Sequence, residues 1–129
     1  MTNDLNNSNK NRSDKYDLEE RTAKFAEEII KLCKQVPENS ITRGIIIQLS
    51  KAGTSVAANY CEADDAESKA DFKHKIGICK KESRETKHWL RMLVCAVPEL
   101  EDKIKKLWLE AKELNLIFNS INNKLKDKK

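Results

Sequence analysis

Five cations, Lys73, Lys80, Arg84, Lys87 and Arg91, follow one another at steps of seven, four, three and four residues. At ~100° per residue those steps keep all five on one side of a helix. A row of positive charge there meets repeated phosphates and releases their condensed counterions. The competing reading of such a row is a solvated flank paired with carboxylates of a neighbouring helix. On the opposite flank Glu82, Glu85 and Trp89 lie beside Ile78. Two carboxylates at i and i+3 face the same way, so no group stands across a cleft to work as acid against base. A better use of that flank is a subunit contact, with Trp89 as apolar anchor and the glutamates meeting Lys or Arg of the next chain.

Glu85-x-x-His88 has the spacing of a di-iron ligand pair, and Asp71-x-x-His74 nearly has it. Both fall in one helical stretch, whereas such centres draw ligands from several helices. Helical phase also turns His74 and His88 away from the apolar seam, so neither a metal nor any other cofactor is expected. The acidic run from Glu62 to Glu67 lacks the loop length and glycine of a calcium hand and reads as a helix-capping connection. Ser55 and Asn59 fall near the middle of an inner stripe, where buried hydroxyls and amides need partners, so they are expected to hydrogen-bond across helices and fix register. Cys33, Cys61, Cys79 and Cys95 are widely spaced, with no C-x-x-C pair, and read as reduced, mostly buried small hydrophobes. No nucleophile stands beside a base and no phosphate loop is present, so an enzyme is not expected.

The elements that must position these residues are helices. The 129 residues are 39% hydrophobic and 36% charged, with only 3 Gly and 2 Pro, too few for the turns of a sandwich or barrel. Residues 1–16, polar and with a single leucine, are expected to be a disordered arm. Residues 17–126 read as one four-helix bundle and 127–129 as a charged tail. Helix 1 opens at Asp17, carries Leu18, Thr22, Phe25, Ile29, Leu32 and Val36 inward, and stops at Pro37. Helix 2 is capped by Ser40, with Ile41, Ile45, Leu49, Ala52, Val56, Asn59 and Ala63 inside. Gly53 within it costs about 1 kcal/mol relative to Ala, which points to a close approach of a neighbouring backbone. Helix 3 runs from Lys69 to Ala96 behind a Ser68 cap, with Phe72, Ile76, Cys79, Ser83, Thr86, Leu90 and Leu93 as its seam. Helix 4 opens at Pro98 and carries Leu100, Ile104, Leu107, Ala111, Leu114, Phe118, Ile121 and Leu125. Alternating steps of three and four with short connections make an up-down-up-down, all-α bundle. Ile78, Trp89 and Met92 on helix 3, and Trp108, Leu109 and Leu116 on helix 4, lie off the seam and suggest self-association.

Charge is concentrated where the row of cations lies. Lys+Arg exceed Asp+Glu by 25 to 21, and the stretch 67–96 alone carries eight basic against four acidic residues, an excess equal to the whole chain's +4.

Three segments carry a resemblance: Arg21 to Ala26 (RTAKFA), Thr54 to Ala63 (TSVAANYCEA), and Asp71 to Leu90 (DFKHKIGICKKESRETKHWL). The pattern A-N-Y-x-E-A, then D-F-x-x-K, then K-E-x-x-E-T-x-x-W-L resembles the small bacterial four-helix-bundle proteins related to those encoded in intervening sequences of 23S ribosomal RNA genes. It extends over residues 17–120. One departure stands out, Lys51-Ala52-Gly53 where the family has Arg-Ser-Ala, which removes a planar multidentate donor and a hydroxyl. The resemblance implies a non-enzymatic, cytosolic protein assembling into a ring, a homopentamer. Related accessory proteins of diversity-generating retroelements form such barrels and contact RNA and a reverse transcriptase.

Two functions are therefore expected to compete. The first is an oligomeric bundle binding nucleic acid, RNA before DNA, through Lys73, Lys80, Arg84, Lys87 and Arg91, with Ile78, Glu82, Glu85, Trp89, Met92 and Trp108 at its subunit contacts. The second is a scaffold whose partner is a protein. No stretch approaches the ~18 apolar residues of a membrane span, and the first residues lack the apolar core of a signal peptide, so a cytoplasmic protein without membrane contact is expected.

Overall fold

The computed structural model describes residues 18–126; the expected N-terminal arm, the Asp17 cap and the charged tail lie outside that range. Four helices follow in order: α1 Leu18–Gln35, α2 Ser40–Asp64, α3 Lys69–Ala96 and, after a 3₁₀ turn over Pro98–Leu100, α4 Glu101–Lys126. In α1 the inward stripe is the expected one, with Leu18, Thr22, Phe25, Ile29 and Leu32 buried. Pro37 ends it, and the freed Pro37 carbonyl accepts from Thr42 Oγ1 at 2.7 Å.

That contact corrects the expected start of α2. The cap is Asn39, not Ser40: its side chain accepts from the backbone N–H of Ile41 and Thr42, while the Asn39 N–H donates to Thr42 Oγ1. Drawing Thr42 inward rotates Ile41 outward, so Ile41 is 66% exposed instead of lining the core. One helical step later in the same sense, Tyr60 takes the buried position expected of Asn59. Ser68 caps α3 as expected, accepting from the Asp71 N–H at 3.0 Å.

Each helix packs against the next in sequence, and α1 closes more sparingly against α4. This is the up-down-up-down arrangement. Ile29, Leu49, Ile76, Leu90, Leu93, Ile104, Leu114 and Phe118 are fully enclosed between the helices. At the α1–α2 contact a Cβ on Gly53 would lie 3.0 Å from both γ carbons of Ile29, so the close neighbour is a branched side chain and not a backbone. The sparse α1–α4 edge is fastened by polar groups: Arg21 donates to both Glu110 oxygens at 2.7 and 2.9 Å and to Glu113 at 3.1 Å, and Lys103 donates to Gln35 at 2.7 Å. Donating to the Glu110 carboxylate holds the Arg21 guanidinium even more firmly charged than usual.

Ser55 and Asn59 do not bond across the bundle. Asn59 Nδ2 donates to the Ser55 carbonyl and to Ser55 Oγ, both at 2.9 Å, one turn back on its own helix. That local bond is open to any Asn four residues beyond a Ser and needs no neighbour. The side-chain ties between helices lie elsewhere: Asn115 Nδ2 of α4 donates to the Lys80 carbonyl at 2.8 Å and to Ser83 Oγ at 3.1 Å, and Cys79 Sγ of α3 donates to the Val56 carbonyl at 3.7 Å.

The cysteines divide two and two. Cys79 is buried, its thiol pushed up to about 12 by loss of water, and half-buried Cys33 is pushed up to about 11 by the same cause. Cys61 and Cys95 are exposed, against the expectation that most are inside. All four are free thiols.

Candidate nucleic-acid interface

The buried residues of α3, Ile76, Cys79, Ser83, Thr86, Leu90 and Leu93, fix its rotation. The five cations then fall on the flank toward α4, over ~27 Å of helix from Lys73 to Arg91. Lys73, Arg84 and Arg91 are exposed, while Lys80 and Lys87 are half-buried. Among the described residues none of the five lies within ion-pair distance of a carboxylate; the ion pairs of α3 are made by Lys75 and Lys81 instead.

Helix α4 supplies a second wall. A tight turn at Val97–Pro98 sets residues equidistant from it across from each other, so Lys87 meets Trp108 and Lys80 meets Asn115. Lys87 Nζ lies 5.3 Å from the centroid of the Trp108 ring, and Lys112 Nζ, from α4 itself, lies 5.7 Å from it. Such contacts are worth ~0.5–1 kcal/mol at exposed sites and hold both ammonium groups in place. Toward the N-terminal end of α3, Lys73, His74, Lys81 and Asn122 line a shallow hollow of about 450 Å³. Toward its other end Arg91 and Lys105 share a cavity of about 480 Å³ with Leu90, Val94, Ile104, Trp108, Cys95 and Glu101. The result is a groove with cations on both sides: Lys105 and Lys112 face the α3 row, and Glu101 is the one carboxylate lining that cavity.

Lys105, Lys112 and Asn115 were not among the site residues expected from sequence. The signal for them was present in the position of Pro98, because a short turn dictates which α4 residues stand opposite each cation of α3.

The opposite flank of α3 turns toward α2. Glu82 and Glu85 line a cavity of about 200 Å³ with Gln48, Lys51, Ala52 and Ser55. Burial pushes the Glu82 carboxyl above the ordinary carboxylate range and Glu85 adds to it, while Lys81, with Nζ 3.9 Å away, and Lys51 pull it back. Lys51 is thus a neighbour of this glutamate pair. Trp89 and Trp108 are half-buried and pack against the core, and Trp89 meets the His88 ring edge-on at 4.9 Å. Ile78 and Met92 are half-buried. The large apolar side chains most open to water are Ile30, Ile41 and Ile47 on the α1–α2 side, with Leu109 and Leu116 on α4. His74 and His88 are exposed, and no His, Cys, Asp and Glu cluster able to hold a metal occurs among the described residues. No helix among them is long and apolar enough to cross a membrane.

Residues 14–123 match the family described as 23S rRNA-intervening sequence protein. A crystal structure of a protein of unknown function from the S23 ribosomal protein family of Bacteroides thetaiotaomicron VPI-5482 is similar, with a TM-score of 0.70 and 30% sequence identity. The similarity covers 81% of this chain and 96% of that one. No curated protein matches the chain.

Proposed function

We propose, for a chain that belongs to the 23S rRNA-intervening sequence protein family, that it is a non-catalytic helical bundle binding RNA along the groove between α3 and α4. One observation carries this reading: among the described residues the five cations of the row make no ion pair with a carboxylate, and Lys105 and Lys112 face them across the groove. A solvated flank paired with acids, the competing account of the row, shows no ion pair to these five cations among the described residues, and Glu101 is the one carboxylate in the cavity that Arg91 lines. Polyanion binding is the use such a surface has, since each neutralised phosphate releases counterions.

The test is anisotropy of a fluorescent structured RNA at ~50 and ~200 mM salt. Five phosphate contacts are expected to lose about 10²- to 10³-fold in affinity over that range. Reversing Lys80, Arg84, Lys87 and Arg91 to Glu together should abolish binding while helical circular dichroism is retained. Equal affinity in that variant, or no binding by the parent chain at low salt, would sink the proposal.

A second reading, a scaffold that docks another protein, draws its support from Ile30, Ile41 and Ile47, each at least 44% exposed. Gene neighbourhood separates the two. A recurrent adjacent reverse transcriptase favours the RNA reading, and any other recurrent neighbour favours the scaffold.

A further inference from the structure

We propose that the cavity at the Cys95 end of the groove captures one unpaired base of the bound strand, so that this surface selects single-stranded or looped RNA over a continuous duplex. The inference rests on the RNA reading above and adds to it the form of the nucleic acid.

The cavity, about 480 Å³, falls within the ~300–1,000 Å³ typical of small-molecule sites. Its lining combines three chemistries that a nucleotide needs together. Half-buried Val94 offers apolar contact to a ring above the enclosed Leu90 and Ile104, and the half-buried Trp108 indole offers aromatic surface. Arg91 and Lys105 supply positive charge for the flanking phosphates, and Arg91 is also the planar cation on which a base can stack. Glu101 is an acceptor for an exocyclic amino group.

Charge complementarity decides the occupant. Two cations outnumber the single carboxylate in the lining, and the rest of the row leads away from it along α3, so an apolar ring joined to a chain of phosphates satisfies the whole groove. A neutral apolar ligand would leave those cations unused. The base must be unpaired because in a duplex both its faces are stacked and its edge is engaged. Lys87 and Lys112 lie over the Trp108 ring, so a base stacking there displaces an ammonium group, which becomes available to a flanking phosphate.

The test uses the full chain with an RNA oligonucleotide carrying 2-aminopurine at one unpaired position, and the same strand in a blunt duplex. The single strand should bind more tightly, with its fluorescence quenched by stacking. Val94→Trp fills the cavity without removing a cation, and should lower single-strand affinity by about 5- to 150-fold, the range one base–aromatic stack is worth, and leave duplex affinity unchanged. Trp108→Ala should act in the same direction, but it also removes core contact; Val94→Trp keeps the outcome readable if that variant unfolds. Equal affinity for the two forms with no quench, or single-strand affinity that Val94→Trp leaves unchanged, overturns base capture and leaves the phosphate-binding groove standing. Failure to bind either form overturns both.

Discussion

Glu82 sits between burial and like charge on one side and two lysines on the other, and the first pair prevails. Its carboxyl is therefore raised in the folded chain, driven first by burial and then by Glu85. A raised acid binds its proton more readily folded than unfolded, so stability falls as pH rises through the shifted range, and at neutral pH the ionised carboxylate is a liability. Glu82→Gln is expected to raise the Tm at neutral pH, with the gain shrinking as the pH falls below the ordinary carboxylate range. Thermal melts at both pH values check this; a gain that does not change with pH would assign it to packing instead. Periodicity was enough to set Glu82 and Glu85 on one flank. It could not say that Lys51 lines the same cavity, because which side of α2 faces α3 depends on the packing of both helices together.

At the scale of the helix, Gly53 is the point where two opposing effects can be weighed. Ala in its place gains about 1 kcal/mol of helix propensity, but its Cβ meets Ile29 at 3.0 Å in a fully enclosed site, where overpacking costs about 1–3 kcal/mol. Gly53→Ala is expected to be destabilising by about 1 kcal/mol in urea titration. The contact atoms are Ile29 Cβ and both γ carbons, so Ile29→Val, which keeps all three, should not relieve it, whereas Ile29→Ala should make the double variant less damaged than the sum of the two singles. Additive behaviour in that cycle would remove the contact as the reason for glycine. The helices and most of the buried seam were readable because steps of three and four recur over whole turns. The start of α2 was not, since Asn39 and Ser40 can both cap; what decides is Thr42, which closes the reciprocal pair with Asn39 and carries Ile41 to the outside. Ser55 and Asn59 were misread for a related reason, in that a polar residue on an inner stripe can satisfy itself within its own helix.

For the molecule as a whole, exposed apolar side chains occur on two helices that are not consecutive in sequence, Ile47 on α2 and, seven residues apart on one face of α4, Leu109 and Leu116. Two different patches suit a head-to-tail contact, which closes into a ring when the rotation between subunits allows it. Ile47→Glu and Leu116→Glu are each expected to reduce the mass measured by light scattering, and an equal mixture of the two should recover a dimer through the one intact pair of patches. Unchanged mass in both variants would remove these patches from assembly. The candidate site was legible from sequence along α3, where one helix carries the whole row, and illegible along α4, where Lys105 and Lys112 gain meaning only from what lies opposite them. Finally, the Arg21 clamp joins residues 89 and 92 positions apart and, with the Lys103–Gln35 bond, fastens the edge between the first and last helices, while the denser helix contacts join consecutive elements. Closing that span fixes a long loop, so the contact is expected to form late in folding. A contact that forms late acts as a latch, so Arg21→Ala is expected to speed unfolding more than it slows refolding in stopped-flow measurements, and the reverse would place the contact early.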